Sequence, residues 1–229
     1  MTGSTSLTIK TAIVIPAHNE AKAIGPLTAS VRALGYDVIV VDDGSVDGTG
    51  DLAKAAGAVV VAMPAKSGKG NALRVGFDRA LKDGYGAVIA MDGDGQHAPC
   101  DIRSFVECFQ KTGAQVVNGS RMHDPKGMPL LRLATNAFMS WIISLICRQQ
   151  IKDTQCGFRL IAADVLKSVK LECSDFEIET ELLVKASRKG FKIASVNIQS
   201  IYRNEVSKIR PFRDTLRFIR YAASTIFDK

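Results

Sequence analysis

Apolar residues in this 229-residue chain fall in short unbroken runs, separated by longer stretches where they recur every three or four positions. The runs Ile9–Ile15, Asp37–Val41, Ala58–Val61 and Ala87–Met91 read as strands. They are too continuously apolar to have one wet face, which predicts a sheet covered on both sides. Between them, Glu20–Leu34, a short segment ending near Ala56, and Asn71–Lys82 carry helical spacing. Strand and helix in strict alternation predict a mostly parallel α/β sheet with helices on both faces. Asp101–Lys111 extends the pattern as a helix and Gln115–Asn118 as a strand. The second half is less regular: helix Leu130–Cys147, strand Phe158–Ile161, helix Ile178–Lys189, strand Ile193–Ile198 and a basic terminal helix Arg213–Phe227. No Pro/Gly/Ser-rich linker or internal repeat divides these parts, so one domain over residues 1–229 is expected.

Composition removes several classes. With 46% hydrophobic and 23% charged residues, the chain is neither wholly disordered, collagen-like nor a polytopic membrane protein. Arg132, Asn136, Ser140 and Ser144 interrupt its longest greasy stretch, and a bilayer span needs about 20 mostly apolar residues. An amphipathic helix is therefore expected there rather than a span. MTGSTSLTIK lacks the basic start and apolar core of a signal peptide. Cys100, Cys108, Cys147, Cys156 and Cys173 are odd in number and form no C-x-x-C, which favours a reducing cytosol over a disulfide or zinc framework. Thirty Lys and Arg against 23 Asp and Glu leave a net charge of +7, which suggests an anionic partner: nucleic acid, phosphorylated metabolite or lipid surface. No aromatic-interleaved RNA motif or DNA-reading module supports the first of these.

Ligands of open α/β sheets sit at the carboxyl ends of the strands, where the polar clusters of this sequence fall. Pro16-Ala17-His18-Asn19-Glu20 follows the first strand and Asp42-Asp43-Gly44-Ser45 the second. Asp43, Ser45 and Asp47 also suit plain turn and N-cap roles. The absence of G-x-G-x-x-G after the first strand disfavours a nicotinamide or flavin site. Lys66-Ser67-Gly68-Lys69-Gly70, before a helix, can hold phosphate through backbone N–H groups and Lys69, but lacks the Walker spacing. The sharpest feature is Met91-Asp92-Gly93-Asp94-Gly95-Gln96-His97. Two carboxylates one residue apart at a strand end can converge on Mg²⁺ or Mn²⁺, with Gln96 as a further oxygen ligand and room left for diphosphate oxygens. An EF-hand fails, because position 12 from Asp92 is Arg103. A plain acidic turn remains the simpler alternative, and His97 reads as a loop residue rather than a ligand.

Taken together and in order, VIPAHNE, VIVVDDGSVDGT, GKGNALRVGF, MDGDGQH and VVNGSR resemble the nucleotide-sugar transferases of glycosyltransferase family 2. RLATN, CGFRL, FEIETELL and YRNEVSK extend the resemblance over nearly the whole chain, towards the dolichyl- and polyprenyl-phosphate sugar synthases. The resemblance implies a GT-A fold: a Rossmann-like, nucleotide-binding three-layer sandwich. Residues up to about 120 would form the nucleotide-sugar half, and 121–229 the acceptor half with its basic helix.

By the same resemblance, Pro16, His18 and Glu20 line the nucleotide pocket, and Val41 and Asp43 contact base or ribose. His18 stands where many relatives carry tyrosine. Asp92, Gly93 and Asp94 border the diphosphate, with Asp92, Asp94 and Gln96 as metal ligands. Arg121 and Arg132 match arginines for sugar-phosphate and lipid-phosphate groups, and Lys208, with the displaced Arg203, matches diphosphate contacts. The implied reaction inverts C1 by single displacement, moving a hexose from a GDP-mannose or UDP-glucose type donor to a polyprenyl phosphate. A saccharide hydroxyl acceptor would instead require a carboxylate base. Asp153, Glu179 and Glu181 are the candidates, each with a structural alternative. A non-catalytic sugar-nucleotide binder is the reading from another class. Arg203, Lys208, Arg210, Arg213, Arg217 and Arg220 concentrate the positive charge near the C-terminus. With the Phe138/Trp141/Ile142/Leu145 face they suggest peripheral contact with the cytoplasmic face of a membrane.

Overall fold

The computed structural model describes residues 9–124, 129–199 and 201. Seven strands form one sheet: β1 (Thr11–Ala17), β2 (Asp37–Asp42), β3 (Val59–Ala62), β4 (Ala87–Ala90), β5 (Val116–Ser120), β6 (Arg159–Ala162) and β7 (Ile193–Asn197). Their order is β3-β2-β1-β4-β6-β5-β7. The sheet is mostly parallel, as the alternating pattern predicts; only β6 runs against its neighbours β4 and β5. Helices α1 (Ala21–Ala33), α2 (Thr49–Ala55), α3 (Lys69–Lys82), α4 (Ile102–Thr112), α5 (Leu130–Cys147), α6 (Ala163–Ser168) and α7 (Ile178–Arg188) complete the fold.

Side chains alternate across each strand, and the core divides accordingly. Val14, Ile39, Val88, Ala90 and Ile161 pack with α3, α5 and α7, whereas Ile13, Ile15, Val40, Ile89 and Leu160 pack with α1 and α4. Both faces of the central strands are thus dry, and this is why their sequences are apolar without alternation. The first strand starts two residues later than expected and ends at Ala17, which carries His18 to the sheet edge. The third helix starts two residues earlier, making Lys69 its first residue. Helix α6 and a 3₁₀ turn at Pro99–Asp101 add to the elements expected from the sequence.

By length and composition α5 is apolar enough to cross a bilayer, with a mean hydropathy of 1.6 over 18 residues. Its polar interruptions face protein: Ser140 Oγ accepts from Thr154 N at 3.0 Å, and Ser144 Oγ accepts from Ile151 N at 2.9 Å. The opposite face leaves Leu131, Phe138, Trp141 and Leu145 exposed. The basic helix expected over Arg213–Phe227, together with Arg203 and Lys208, lies outside the described residues.

Candidate active site

The carboxyl ends of β1, β2 and β4 are adjacent because these strands are parallel neighbours. Antiparallel β6 brings its amino end to the same edge, with Arg159 opposite Ala90. Four segments distant in sequence therefore meet there: 16–20, 42–49, 91–97 and 154–159.

The first two knit each other. Ser45 Oγ accepts from Asn19 N at 2.9 Å, Thr49 Oγ1 from Glu20 N at 2.8 Å and Asp47 Oδ2 from Ala21 N at 3.0 Å. Asn19 Oδ1 in turn accepts from Val46 N at 3.0 Å. Asp47 thus serves the open amino end of α1 from across the edge, the capping role its residue type suits. His18 Nδ1 donates to the Asp43 carbonyl at 2.8 Å, which holds the ring over the β2 end. Pro16 pairs with Val41 in the β1–β2 ladder. Asp43 is buried, and its carboxylate receives Ser67 N at 2.7 Å, Ser67 Oγ at 3.0 Å and Gly68 N at 2.9 Å.

These contacts change two expectations. The 66–70 turn does not offer a free ring of N–H donors for phosphate: Asp43 takes those of Ser67 and Gly68, and the Ser174 carbonyl takes that of Gly70 at 2.7 Å. Val41 is fully buried and its side chain lies against α3 at Gly76, so any contact it makes with a nucleotide would come from its main chain.

The third segment holds the charge. Lys69 Nζ lies 2.6 Å from Asp92 Oδ1 and 2.6 Å from Glu179 Oε1, bridging β4 and α7. His97 Nε2 approaches Asp92 Oδ2 at 3.3 Å; its ring is buried 5.0 Å from that of Phe158. Burial by itself would raise the Asp92 pKa, but the Lys69 ammonium and His97 hold it far below the usual carboxylate range. Asp94 goes the other way: burial and then the neighbouring Asp92 charge raise its pKa, against a hydrogen bond from Gln96 N at 3.0 Å. Burial would likewise strip Lys69 of its proton, yet Asp92 and Glu179 raise its pKa and keep it an ammonium. Gly157 makes room for this cluster: a Cβ there would lie 2.7 Å from both Asp92 carboxylate oxygens and 2.8 Å from Lys69 Nζ, so the pair would have to shift. The glycine of CGFRL was legible as a motif residue but not as part of this cluster, because nothing local to it predicts Asp92 as a neighbour.

Asp92, Asp94 and Gln96 supply oxygen donors of the kind Mg²⁺ and Mn²⁺ prefer. Among the described residues no group of three or more His, Cys, Asp and Glu surrounds a single point. Mg²⁺ held through one or two carboxylates keeps further positions for waters or substrate phosphate oxygens.

The second half contributes a buried ion pair. Arg121 donates through Nε to Asp153 Oδ2 at 2.8 Å and through Nη2 to Oδ1 at 3.0 Å, and its backbone N–H reaches Oδ2 at 3.2 Å. Asp153 is fully buried, and although burial opposes ionisation, Arg121 holds its pKa below normal. Of the three carboxylates considered as bases, Asp153 therefore anchors Arg121. Glu181 receives Glu172 N, Cys173 N and Lys185 Nζ, and Glu179 binds Lys69. None stands as an unengaged base. Arg132 lies half-buried in the first turn of α5.

Residues 12–169 match the family model described as glycosyl transferase family 2. The UDP-N-acetylglucosamine–dolichyl-phosphate N-acetylglucosaminyltransferase of Methanococcus voltae is 30% identical over 213 residues, covering 83% of this chain and 85% of its own. The undecaprenyl-phosphate mannosyltransferase of Micrococcus luteus is 31% identical over 205 residues, with 83% of each chain covered. In three dimensions, the glucosyl-3-phosphoglycerate synthase of Mycobacterium tuberculosis, crystallised with Mn²⁺, UDP and phosphoglyceric acid, superposes with a TM-score of 0.73 at 23% identity. That match covers 95% of this chain and 77% of the other, and it places the sheet and its helical layers in the GT-A fold.

Proposed function

Because the chain belongs to glycosyl transferase family 2 and is a glycosyltransferase, we propose that it moves a hexose from a GDP-mannose or UDP-glucose type donor to a polyprenyl phosphate at the cytoplasmic face of a membrane. The observation that carries this reading is the Asp92/Asp94 turn with Lys69 at the carboxyl end of β4, in a chain whose relatives are named for polyprenyl-phosphate transfer.

The chemistry needs little from the protein beyond charge and position. The acceptor phosphate oxygen forms a bond to C1 as the bond from C1 to the nucleotide diphosphate breaks, and the diphosphate leaves with the electron pair. A phosphate monoester has its second pKa near about 6, so it is already an anionic nucleophile at neutral pH. No general base is required, which agrees with the engagement of Asp153, Glu179 and Glu181 in other bonds. Asp92 and Asp94, with Gln96, would hold Mg²⁺ or Mn²⁺, and such a cation supplies neutralisation of the leaving diphosphate. Lys69 contributes a fixed ammonium at the same edge, and His18 and Glu20 border the nucleotide. Arg121, held by Asp153, and Arg132 orient the phosphates. Arg203 and Lys208 complete the proposed set from outside the described residues. A hydroxyl acceptor gains no support from these contacts, because it would need one of the engaged carboxylates as base.

Transfer of label from UDP- and GDP-sugars to polyprenyl phosphate in the presence of Mn²⁺ tests the proposal, with an organic-extractable sugar as the expected product. No extractable product from any donor overturns the acceptor assignment. Arg132→Ala is expected to raise the KM for lipid phosphate by about tenfold or more, the worth of one charge-assisted contact, with donor affinity unchanged. Unchanged acceptor kinetics would remove Arg132 from the acceptor site.

The exposed side of α5 supports the membrane part of the proposal. Phe138, Trp141 and Leu145 are each 60% exposed and share one face. From Pro129 to Lys152 the chain carries Arg132, Arg148 and Lys152 and no acidic residue. Apolar surface bordered by cations suits an anionic bilayer. Cosedimentation with anionic vesicles at low salt is expected, and Phe138→Ser with Trp141→Ser should weaken it by about tenfold. Equal binding by the double variant would shift the contact away from α5.

A further inference from the structure

The bridge formed by Lys69 has a partner on α7 that the donor-site reading leaves unexplained. Glu179 lies 110 residues from Lys69 in sequence, its side chain is only 8% exposed, and it holds the ammonium at 2.6 Å, the same distance as Asp92. One ammonium therefore has two carboxylate hosts, and they are not equivalent. Asp92 belongs to the turn proposed to border the diphosphate; Glu179 is fixed in the first turn of α7. The backbone leaves room for this arrangement, since a Cβ at Gly157 would lie 2.7 Å from the Asp92 carboxylate oxygens and 2.8 Å from Lys69 Nζ.

We propose that Glu179 is a positioning residue of the donor site that acts through Lys69: it retains the ammonium when Asp92 turns to a divalent cation. The inference rests on the assignment of Asp92 and Asp94 to such a cation. The physical argument is competition for one carboxylate. With Asp92 as its single host, Lys69 would have to be left as an uncompensated buried charge before Asp92 could bind anything else, a costly step. Glu179 removes that cost, because the ammonium keeps a partner at hydrogen-bond distance. Glu179 thereby frees Asp92 for ligation without itself touching donor or cation, and fixes Lys69 beside the diphosphate.

Mn²⁺ affinity, measured in the presence of UDP and separately of GDP, tests this without any acceptor or turnover. Glu179→Gln is expected to weaken Mn²⁺ binding by about tenfold, and in a Lys69→Met background the same substitution should change it by less than about twofold. The second background removes the ammonium and with it the need for a second host. A simple through-space effect of the Glu179 charge would persist there, so equal losses in both backgrounds overturn the proposal. A role in folding alone would lower the melting temperature and leave the Mn²⁺ affinity unmoved, and that result also overturns it. If Glu179→Gln does not fold, Glu179→Asp carries the test: it keeps the charge but is one methylene too short for the 2.6 Å contact, and unchanged Mn²⁺ affinity there counts against the proposal. Absence of Mn²⁺ binding by the unaltered protein would instead sink the cation assignment itself, and this inference with it.

Discussion

Replacing Asp94 with alanine is expected to reduce sugar transfer by about a thousandfold or more while leaving the fold intact. The carboxylate is held in an unfavourable place: burial and the adjacent Asp92 both resist its charge. Lys69 and His97 approach Asp92, whereas Asp94 is held in the turn by a hydrogen bond from Gln96 N. The proposed function gives this carboxylate to an arriving cation, whose charge would offset that cost. Removal of the carboxylate should therefore relieve repulsion in the empty protein, so the melting temperature is expected to stay the same or rise slightly. Steady-state transfer, Mn²⁺ affinity and thermal melting on the same preparation check this. Full activity in Asp94→Ala would remove this residue from the donor site. A large fall in melting temperature would recast it as a structural acid of the turn.

Asp153→Asn should have the largest effect on stability, a loss of about 3–5 kcal/mol, because it breaks a buried ion pair from one side. Asp153 is fully buried, receives two guanidinium nitrogens and the backbone N–H of Arg121, and its own carbonyl accepts from Asn118 Nδ2 at 2.6 Å. The pair therefore ties the end of β5 to the segment that leads into β6. Its pKa is depressed from the usual 3.8, so its contribution is complete above that value and is withdrawn as the pH falls from there through the folded-state value. Denaturant melts should accordingly show a wide gap between the parent and Asp153→Asn at neutral pH, closing below about pH 4. A gap of under about 1 kcal/mol at pH 7 would mean that the pair is exchanged for water at little cost.

Much of the scaffold was legible along the chain. Short β-branched runs such as Asp37–Val41 favour strands buried on both faces, and the 3.6-residue spacing of α1, α3 and α4 follows from each helix having one dry side. The turn 42–49 was legible as turn and cap chemistry because its short polar residues hydrogen-bond to backbone a few residues away or across one loop. The antiparallel direction of β6 was not, because nothing in Phe158–Ile161 specifies which neighbour it pairs with. Val41 shows the converse limit: its place in a motif suggested a ligand contact, but strand alternation turns its side chain into the core against α3.

The residue types available to the site were set by sequence alone: two carboxylates after β4, a lysine opening α3, arginines after β5 and in α5, and an excess of positive charge. Their local order also identified the family. What tertiary structure decided is which of these groups hold one another. Lys69 meets Glu179 across 110 residues, Arg121 meets Asp153 across 32, and Asp43 closes the 66–68 turn across 24. These pairings follow from strand order, which depends on burial shared among distant segments and leaves no trace in neighbouring residues. Charges that look interchangeable in the sequence are sorted by that burial: Asp153 and Glu181 become anchors, Glu179 the partner of Lys69, and Asp94 the carboxylate held against its own preference at the edge of the sheet.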